Sequence, residues 1–323
     1  MEVGVIGLGN MGTAIANLCA ENGNDVLGYE YDAKAVDEVN SRHTNSRYLP
    51  GVRLSEKLSA TQDICSVLQR RIVFIALPSA YIRPTFSPIR CSASQDTVIV
   101  NLAKGIERSS GRTSFQIIRE IFSENSCVML SGPSIANEFG KGMPTIVMVG
   151  GEDHDSVSQV SKVLSSSHFR ARLSDDAVGV ELGGILKNIY AVGLGIFEGR
   201  GMRSTNFISL YMTFALEEMQ RIGTVMGGKR ETFYDLPGLG DLIATSLSEH
   251  SHNRKLGVYL AKGMTLEEIK EKMGVLPEGY NTLVTVLGVA KEKEIKLPIA
   301  KQLLAIAEGK GTIEEFMQEL ESR

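Results

Sequence analysis

The sequence has no excess of positive charge: 34 Lys and Arg stand against 38 Asp and Glu over 323 residues, a formal net charge of -4. Nothing global then attracts polyphosphate, which excludes nucleic acid or an anionic membrane as the default partner and makes any phosphate recognition local. Cysteine is scarce. Cys19, Cys65, Cys91 and Cys127 lie too far apart for a CxxC pair, and no Cys/His cluster has the spacing of a structural zinc site. No metal is therefore expected, and the cysteines read as buried reduced thiols. There is no room for a basic, apolar leader, because Met1-Glu2-Val3-Gly4-Val5-Ile6 runs straight into a glycine-rich turn, so a cytoplasmic protein is expected. No run of about 18 apolar residues is present, and membrane insertion is not expected. Repeats and low-complexity tracts are absent.

What is present is a globular composition, 43% hydrophobic and 22% charged, with length for two domains. The first half alternates β-branched runs with amphipathic segments: VGVIG, TAIANLCAENG, DVLGYE, RIVFIALP, DTVIVNLAKG, SCVMLSGP and PTIVMVGG. That rhythm predicts a parallel sheet with helical crossovers, and runs apolar on both faces fit a sheet covered on each side. From about Asp175 the pattern turns to long helix-period stretches, GVELGGILKNIYAVGLGIFEG and NFISLYMTFALEEMQRIGTVMG. The polar, turn-rich SSSHFRARLSDDAVG between them reads as the boundary, giving an N-terminal domain over 1–177 and a helical domain over 178–323. In the terminal TIEEFMQELESR, a Thr cap, an acidic first turn and a face of Ile313, Phe316, Met317 and Leu320 predict a packing helix.

Gly7-Leu8-Gly9-Asn10-Met11-Gly12 follows a predicted strand and opens a predicted helix, the context in which a G-x-G-x-x-G pattern signals dinucleotide binding. Gly7 permits the tight turn, Gly9 the approach of a pyrophosphate and Gly12 close helix–strand packing, while the helix N-terminus supplies N–H groups. Incidental glycines in a plain turn are the bland alternative. Glu30 closes DVLGYE 18 positions after Gly12, near the spacing at which a carboxylate accepts the adenosine ribose hydroxyls and repels a 2′-phosphate. NAD is expected over NADP, with Tyr31 and Asp32 in a position to reshape that pocket. A surface carboxylate at a strand end is the bland reading of Glu30.

Three segments offer the polar groups of a hydride-transfer site. Lys104 ends DTVIVNLAKG at the carboxyl edge of a strand, Ser131-Gly132-Pro133-Ser134 ends the next, and Lys187-Asn188 interrupts an apolar helical run. Each lysine alone is ordinary, since surface lysines outnumber catalytic ones. Reducing a ketone develops an alkoxide, which needs a proton donor and a positive environment. Two neighbouring ammoniums would serve, their repulsion and partial burial drawing one toward neutrality. Asp241 in LPGLGDLIATS would stand between them, or would cap the helix that follows, and the two roles are compatible.

Taken in order, GLGNMGTA, ALPS, NLAKGIE, LSGPSIANEFGKGMPT, VELGGILKNIYAVG, GLGDLIATS, SHNRKLG and PEGYNT resemble the glycerol-3-phosphate dehydrogenases from near residue 4 to near residue 282. The resemblance implies a Rossmann-type doubly wound α/β sheet followed by an all-helical C-terminal domain, within the broader 6-phosphogluconate-dehydrogenase-like group. It implies that Lys187 exchanges the proton with Asp241 and Thr245 beside it, and that Lys104, Gly132 and Ser134 line the substrate site. Ser251 and Asn253 of SHNRK match residues that hold the substrate phosphate. Ala136 and Glu278 would contact cofactor, as would Lys104, Pro78 of ALPS, and Asn10 and Met11 in the glycine turn.

The chain departs from the family in three places. His252 stands where an Arg usually precedes the Asn, so phosphate affinity should fall, become pH-dependent or be rescued by Arg254. PEGYNT is one residue short of the usual form, and Asn10-Met11 replaces a pair in which an aromatic often precedes the last glycine. The implied activity is reversible reduction of dihydroxyacetone phosphate to sn-glycerol 3-phosphate, for phospholipid synthesis, with Asn253 and Arg254 clamping the substrate phosphate. The alternatives are the same chemistry on another small phosphorylated, phosphonylated or carboxylated ketone, and a silent NAD-sensing protein. Against the last stands the retention of both lysines with Asp241. A homodimer is the expected assembly for a large helical domain with alternating apolar faces.

Overall fold

A computed structural model describes residues 1–248 and 251–322. The chain divides into two compact units, Met1–Glu107 with Arg112–Glu181, and Arg108–Gly111 with Leu182–Arg323. The first is built on eight strands: β1 (Glu2–Ile6), β2 (Asp25–Tyr29), β3 (Leu58–Thr61), β4 (Ile72–Ile75), β5 (Val98–Asn101), β6 (Cys127–Ser131), β7 (Thr145–Gly151) and β8 (Phe169–Ser174). Their order is β3-β2-β1-β4-β5-β6-β7-β8, with Val5 paired to Gly28 on one side and Phe74 on the other. The first six in that order are parallel and follow the doubly wound pattern, whose order reverses between β1 and β4.

Successive residues of the central strands enter opposite cores. Ile72 and Phe74 pack on one face with Val3, Val5 and Val100, whereas Val73 and Ile75 pack on the other with Ile6 and Ile99. Both faces are dry, which is why these strands read as continuous apolar runs. Each such side chain contributes about 1.5–3 kcal/mol on burial.

Four expectations need correction. The sheet is not wholly parallel: β7 runs antiparallel to β6, because the connection after Ser131 carries only the single turn Ala136–Phe139 and turns back on the sheet. The segment SSSHFRARLSDDAVG is not merely a linker, since Phe169–Ser174 within it forms edge strand β8, parallel to β7. Its exposed Arg170 and Arg172 made it look like loop, and they are what protects an edge from further pairing. The cysteines are not all thiols: Cys65 and Cys91 form a disulfide across 26 residues of chain, a proximity that spacing cannot reveal, while Cys19 and Cys127 are free. Burial pushes those two thiols up, to about 12 and about 11 respectively. Finally, the helix Ala177–Gly199 is long and apolar enough to cross a membrane, but 94% of its apolar window is buried inside the protein, as in a core helix.

The second unit is helical. The helix Ala177–Gly199 enters it from residue 182 and meets Thr205–Val225, where Phe197 packs edge-on against Tyr211 and stacks on Phe316 of the terminal helix Ile313–Glu321. That last helix has the expected cap, Thr312 and Glu315 exchanging bonds in a capping box, and buries Ile313, Phe316 and Leu320. Fully buried Glu218 accepts the N–H groups of Ile299 and Ala300 at the start of helix Pro298–Ala307 and the hydroxyl of Tyr190. A carboxylate at a helix N-terminus satisfies donors that would otherwise be orphaned. Helix His252–Ala261 lies against Ala177–Gly199 at backbone distance, because side chains are missing where they touch: a Cβ on Gly195 would fall 1.9 Å from the Arg254 carbonyl, and one on Gly257 2.0 Å from that of Val192.

Candidate active site

In the first unit the candidate residues lie at the carboxyl ends of parallel strands, where open α/β sheets bind ligands. After β1, Gly7 has φ +96° and its N–H reaches the Tyr29 carbonyl at 3.0 Å, so the chain can turn only with glycine there. A Cβ on Gly12 would sit 1.8 Å from the Gly7 carbonyl, whereas one on Gly9 would meet nothing within 4 Å. Gly9 caps the helix Asn10–Glu21 without a side-chain bond, which leaves N–H groups facing open space. This is the shape a pyrophosphate needs, and the residues fit a dinucleotide. The partly buried side chain of Met11 packs against the core. Asn10 donates to the Tyr48 carbonyl at 2.5 Å and to Asn137 Oδ1 at 2.9 Å, latching the turn to two neighbouring segments.

Glu30 is only 4% exposed and braces the same turn, its Oε2 accepting the Leu8 N–H at 3.1 Å and its Oε1 the Asp32 N–H at 3.2 Å. A carboxylate has about four acceptor positions, so these bonds leave capacity for ribose hydroxyls. Tyr31 is 70% exposed, and Asp32 caps the next helix by accepting from the Lys34 N–H. Pro78 is the exposed cap of helix Ser79–Phe86, after β4.

Lys104 follows β5 and donates to the Gly132 carbonyl at 3.3 Å, an oxygen that also accepts from Ser134 Oγ at 3.0 Å. The structure thus brings the AKG and SGPS segments together. Gly132 has φ +124°, and Ala136 is buried at the head of the turn Ala136–Phe139.

In the second unit Lys187 sits within Ala177–Gly199, its Nζ 2.8 Å from Asp241 Oδ1 and 2.5 Å from Thr245 Oγ1. The lysine and aspartate side chains are 11% and 5% exposed, a water-poor ion pair. Asp241 opens the helix Asp241–Leu247 behind a π-turn, Leu236–Gly240, with Gly240 in the cap position and no side-chain cap bond. Of the two roles open to Asp241, partner of a lysine is the one its geometry takes. Thr245, one turn on, falls on the same face.

The SHNRK residues are placed less simply. Ser251 caps helix His252–Ala261 by accepting the Arg254 N–H, and His252 is exposed at its start. Asn253 is a bridge: Nδ2 donates to Asn188 Oδ1 and Oδ1 accepts the Gly279 N–H, both at 2.9 Å. It therefore joins the neighbour of Lys187 to the neighbour of Glu278, which begins helix Glu278–Glu292. Arg254 is committed elsewhere: its guanidinium holds the Ser246 and Ser248 carbonyls at 2.8 and 2.7 Å and Glu198 at 2.6 Å. Three of the guanidinium's five N–H groups are used in this way, while its buried Nε has no partner among the described residues. The bridging amide of Asn253 left no signal in sequence pattern, because its partners are 65 and 26 residues away.

The family model for the NAD-dependent glycerol-3-phosphate dehydrogenase N-terminus matches residues 2–157, and that for the C-terminus of the same family matches residues 176–318. A glycerol-3-phosphate dehydrogenase (NAD(P)+) of Carboxydothermus hydrogenoformans is 36% identical over 309 residues, 95% of this chain and 92% of the relative. Its counterpart in Halothermothrix orenii is 38% identical over 308 residues, 94% of this chain and 90% of the relative. The crystal structure of glycerol-3-phosphate dehydrogenase from Coxiella burnetii superposes with a TM-score of 0.89 at 30% identity, covering 100% of this chain and 99% of that one.

Proposed function

Since the chain belongs to the NAD-dependent glycerol-3-phosphate dehydrogenase family, we propose that it reversibly reduces dihydroxyacetone phosphate to sn-glycerol 3-phosphate, with Lys187 as the proton-exchanging residue. The observation that carries this reading is the Lys187–Asp241–Thr245 cluster. A bound nicotinamide dinucleotide supplies the hydride. The Lys187 ammonium gives a proton to the oxygen of the reduced carbonyl, and in the reverse direction the amine takes it back. Asp241 and Thr245 hold Nζ in place, and Asp241 offsets the charge that would otherwise be costly at this depth. Lys104, Gly132 and Ser134 contact substrate, Gly7 to Gly12, Glu30, Pro78, Ala136 and Glu278 serve the cofactor, and Ser251, His252 and Asn253 serve the phosphate. The first unit is accordingly the dinucleotide-binding domain and the second the substrate and catalytic domain.

NAD is the preferred cofactor, because a buried carboxylate at the end of β2 repels a 2′-phosphate. A homodimer through the helical unit accommodates Leu210 and Val225, which are 37% and 40% exposed on helix Thr205–Val225. Cytoplasmic residence goes with the use of a soluble nicotinamide pool.

A second reading has a specific observation behind it: exposed His252 stands where the family has a guanidinium, and Arg254 is bound to Glu198. Under it the same chemistry acts on a different small ketone. NADH consumption measured across a panel of ketones separates the two. Saturation by dihydroxyacetone phosphate is expected, and saturation only by a non-phosphorylated ketone would sink the leading reading.

A further inference from the structure

The carbonyl of Ala103, immediately before Lys104, is the centre of a buried polar network with no part in the chemistry so far. Asn101 Oδ1 accepts the Ala103 N–H at 2.9 Å, and Asn101 Nδ2 approaches the Ala103 carbonyl at 3.3 Å and Ser114 Oγ at 3.1 Å. Ser114 Oγ lies 2.8 Å from that carbonyl and 3.1 Å from Glu181 Oε1, which also accepts the Phe115 N–H at 2.7 Å. Asn101 and Ser114 are completely buried and Glu181 is 3% exposed. Glu181 belongs to the first unit, while its helix, Ala177–Gly199, goes on to carry Lys187.

A serine hydroxyl has a single proton, and here it faces two acceptors. An ionised Glu181 is the stronger acceptor and draws the proton; a neutral Glu181 releases it to Ala103. The charge of Glu181 thereby decides whether the peptide presenting Lys104 is anchored through Ser114. We propose that Glu181 is a positioning residue for Lys104, acting through the Ser114 hydroxyl on the carbonyl of Ala103. The proposal rests on the reading of Lys104 as a substrate contact.

Burial raises the Glu181 carboxyl to about 7, against the opposing pull of hydrogen bonds from Thr113, Phe115 and Ser114. These are the groups that face it from the start of helix Ser114–Ile121, and no charged side chain contributes to the shift among the described residues. The acid form therefore prevails below neutrality and the carboxylate above it. Anchoring through Ser114 weakens as pH rises through about 7.

Two measurements on the full-length protein test this. In steady-state kinetics, Ser114→Ala should raise the KM for dihydroxyacetone phosphate about tenfold at pH 6, where the parent is anchored, Glu181→Ala should keep the parent's low-pH KM up to pH 8, the double variant should match Ser114→Ala, and the KM for NADH should stay within about twofold. Glu181→Gln, which cannot titrate, should lose a rise in ketone KM between pH 6 and 8 that the parent shows. Independently of substrate, the rate at which an amine-directed acylating reagent labels Lys104, followed by peptide mass spectrometry, should change severalfold in Ser114→Ala below pH 7 and, in the opposite sense, in Glu181→Ala above it. A lowered Tm with unchanged KM and unchanged Lys104 labelling would reduce Glu181 to a packing residue and overturn the proposal, as would multiplying effects in the double variant. If labelling shifts in a protein that fails to reduce dihydroxyacetone phosphate, the substrate assignment falls and the positioning role stands.

Discussion

The two units hold their functional groups by opposite means. In the sheet unit, Gly7 to Gly12, Glu30, Lys104 and Ser134 lie on turns that leave strands, and each of their bonds has a backbone group of the same turn or of a neighbouring one as partner. In the helical unit, Lys187, Asp241 and Asn253 lie on three helices, and their geometry depends on side chains reaching between helices far apart in sequence. A turn after a strand is a local device that tolerates change elsewhere. A cluster spread over helices is only as exact as the packing beneath it, and so should be the more fragile of the two.

The largest expected effect tests that contrast at its centre. Lys187→Ala should lower kcat about 10²–10⁴-fold, the range for loss of a positioned acid–base group, while NADH binding followed by fluorescence stays intact. Turnover near that of the parent would end the assignment of Lys187. Asp241→Ala should cost nearly as much activity and also stability, because removing one partner of a buried pair strands the other at about 3–5 kcal/mol. Next comes Asn253→Ala, which strands Asn188 Oδ1 and the Gly279 N–H. Each orphaned group costs about 1–3 kcal/mol, so thermal unfolding should show a Tm several degrees lower together with a loss of kcat. An unchanged Tm with only a raised substrate KM would instead make Asn253 a phosphate ligand and no bridge.

The same contrast explains what could be read from the residues alone. The glycine turn was legible because its function is a backbone shape that only glycine permits, and the structure repeats that reason in the 1.8 Å a Gly12 Cβ would leave to the Gly7 carbonyl. Six of the strands were legible because apolar residues dominate them; the edge strands β3 and β8 were not, β3 being half polar and β8 carrying arginines. Strand direction leaves no trace, since a period of two is the same in either sense, and a reading of the whole sheet as parallel misses the reversal at β7. In the helical unit no periodicity links Lys187 to Asp241, 54 residues on; the need for a carboxylate beside ammonium groups and the family resemblance joined them. Glu181 was hidden for a related reason: a lone carboxylate in an apolar helix reads as an exception until its partners on helix Ser114–Ile121 are seen.

A smaller effect is expected from the local side of the comparison. Glu30→Gln keeps acceptors for the Leu8 and Asp32 N–H groups in part, and removes the charge. The ratio of kcat/KM for NADH to that for NADPH should fall about tenfold toward unity, with little change in Tm. Equal efficiency with both cofactors in the parent protein would remove the argument for Glu30 altogether.

The smallest effect should come from the one covalent link in the sheet unit. The Cys65–Cys91 bond closes 26 residues of chain, for which chain entropy alone would give roughly 3–4 kcal/mol. The two segments it joins are already held without it: the Ser94 N–H reaches the Leu68 carbonyl, Gln69 Nε2 donates to the Ser92 carbonyl at 3.0 Å, and Ser94 Oγ donates to Gln69 Oε1 at 2.6 Å. Because this local structure keeps the ends together when the bond is absent, reduction should lower Tm by only a few degrees and leave NADH affinity unchanged. In a reducing compartment the pair would then exist as thiols at little cost. Thiol titration of the folded protein before and after reductant, paired with thermal unfolding, checks both points. A collapse of cofactor binding on reduction would show that the sheet unit, too, depends on a long-range tie, and the contrast between the units would fail.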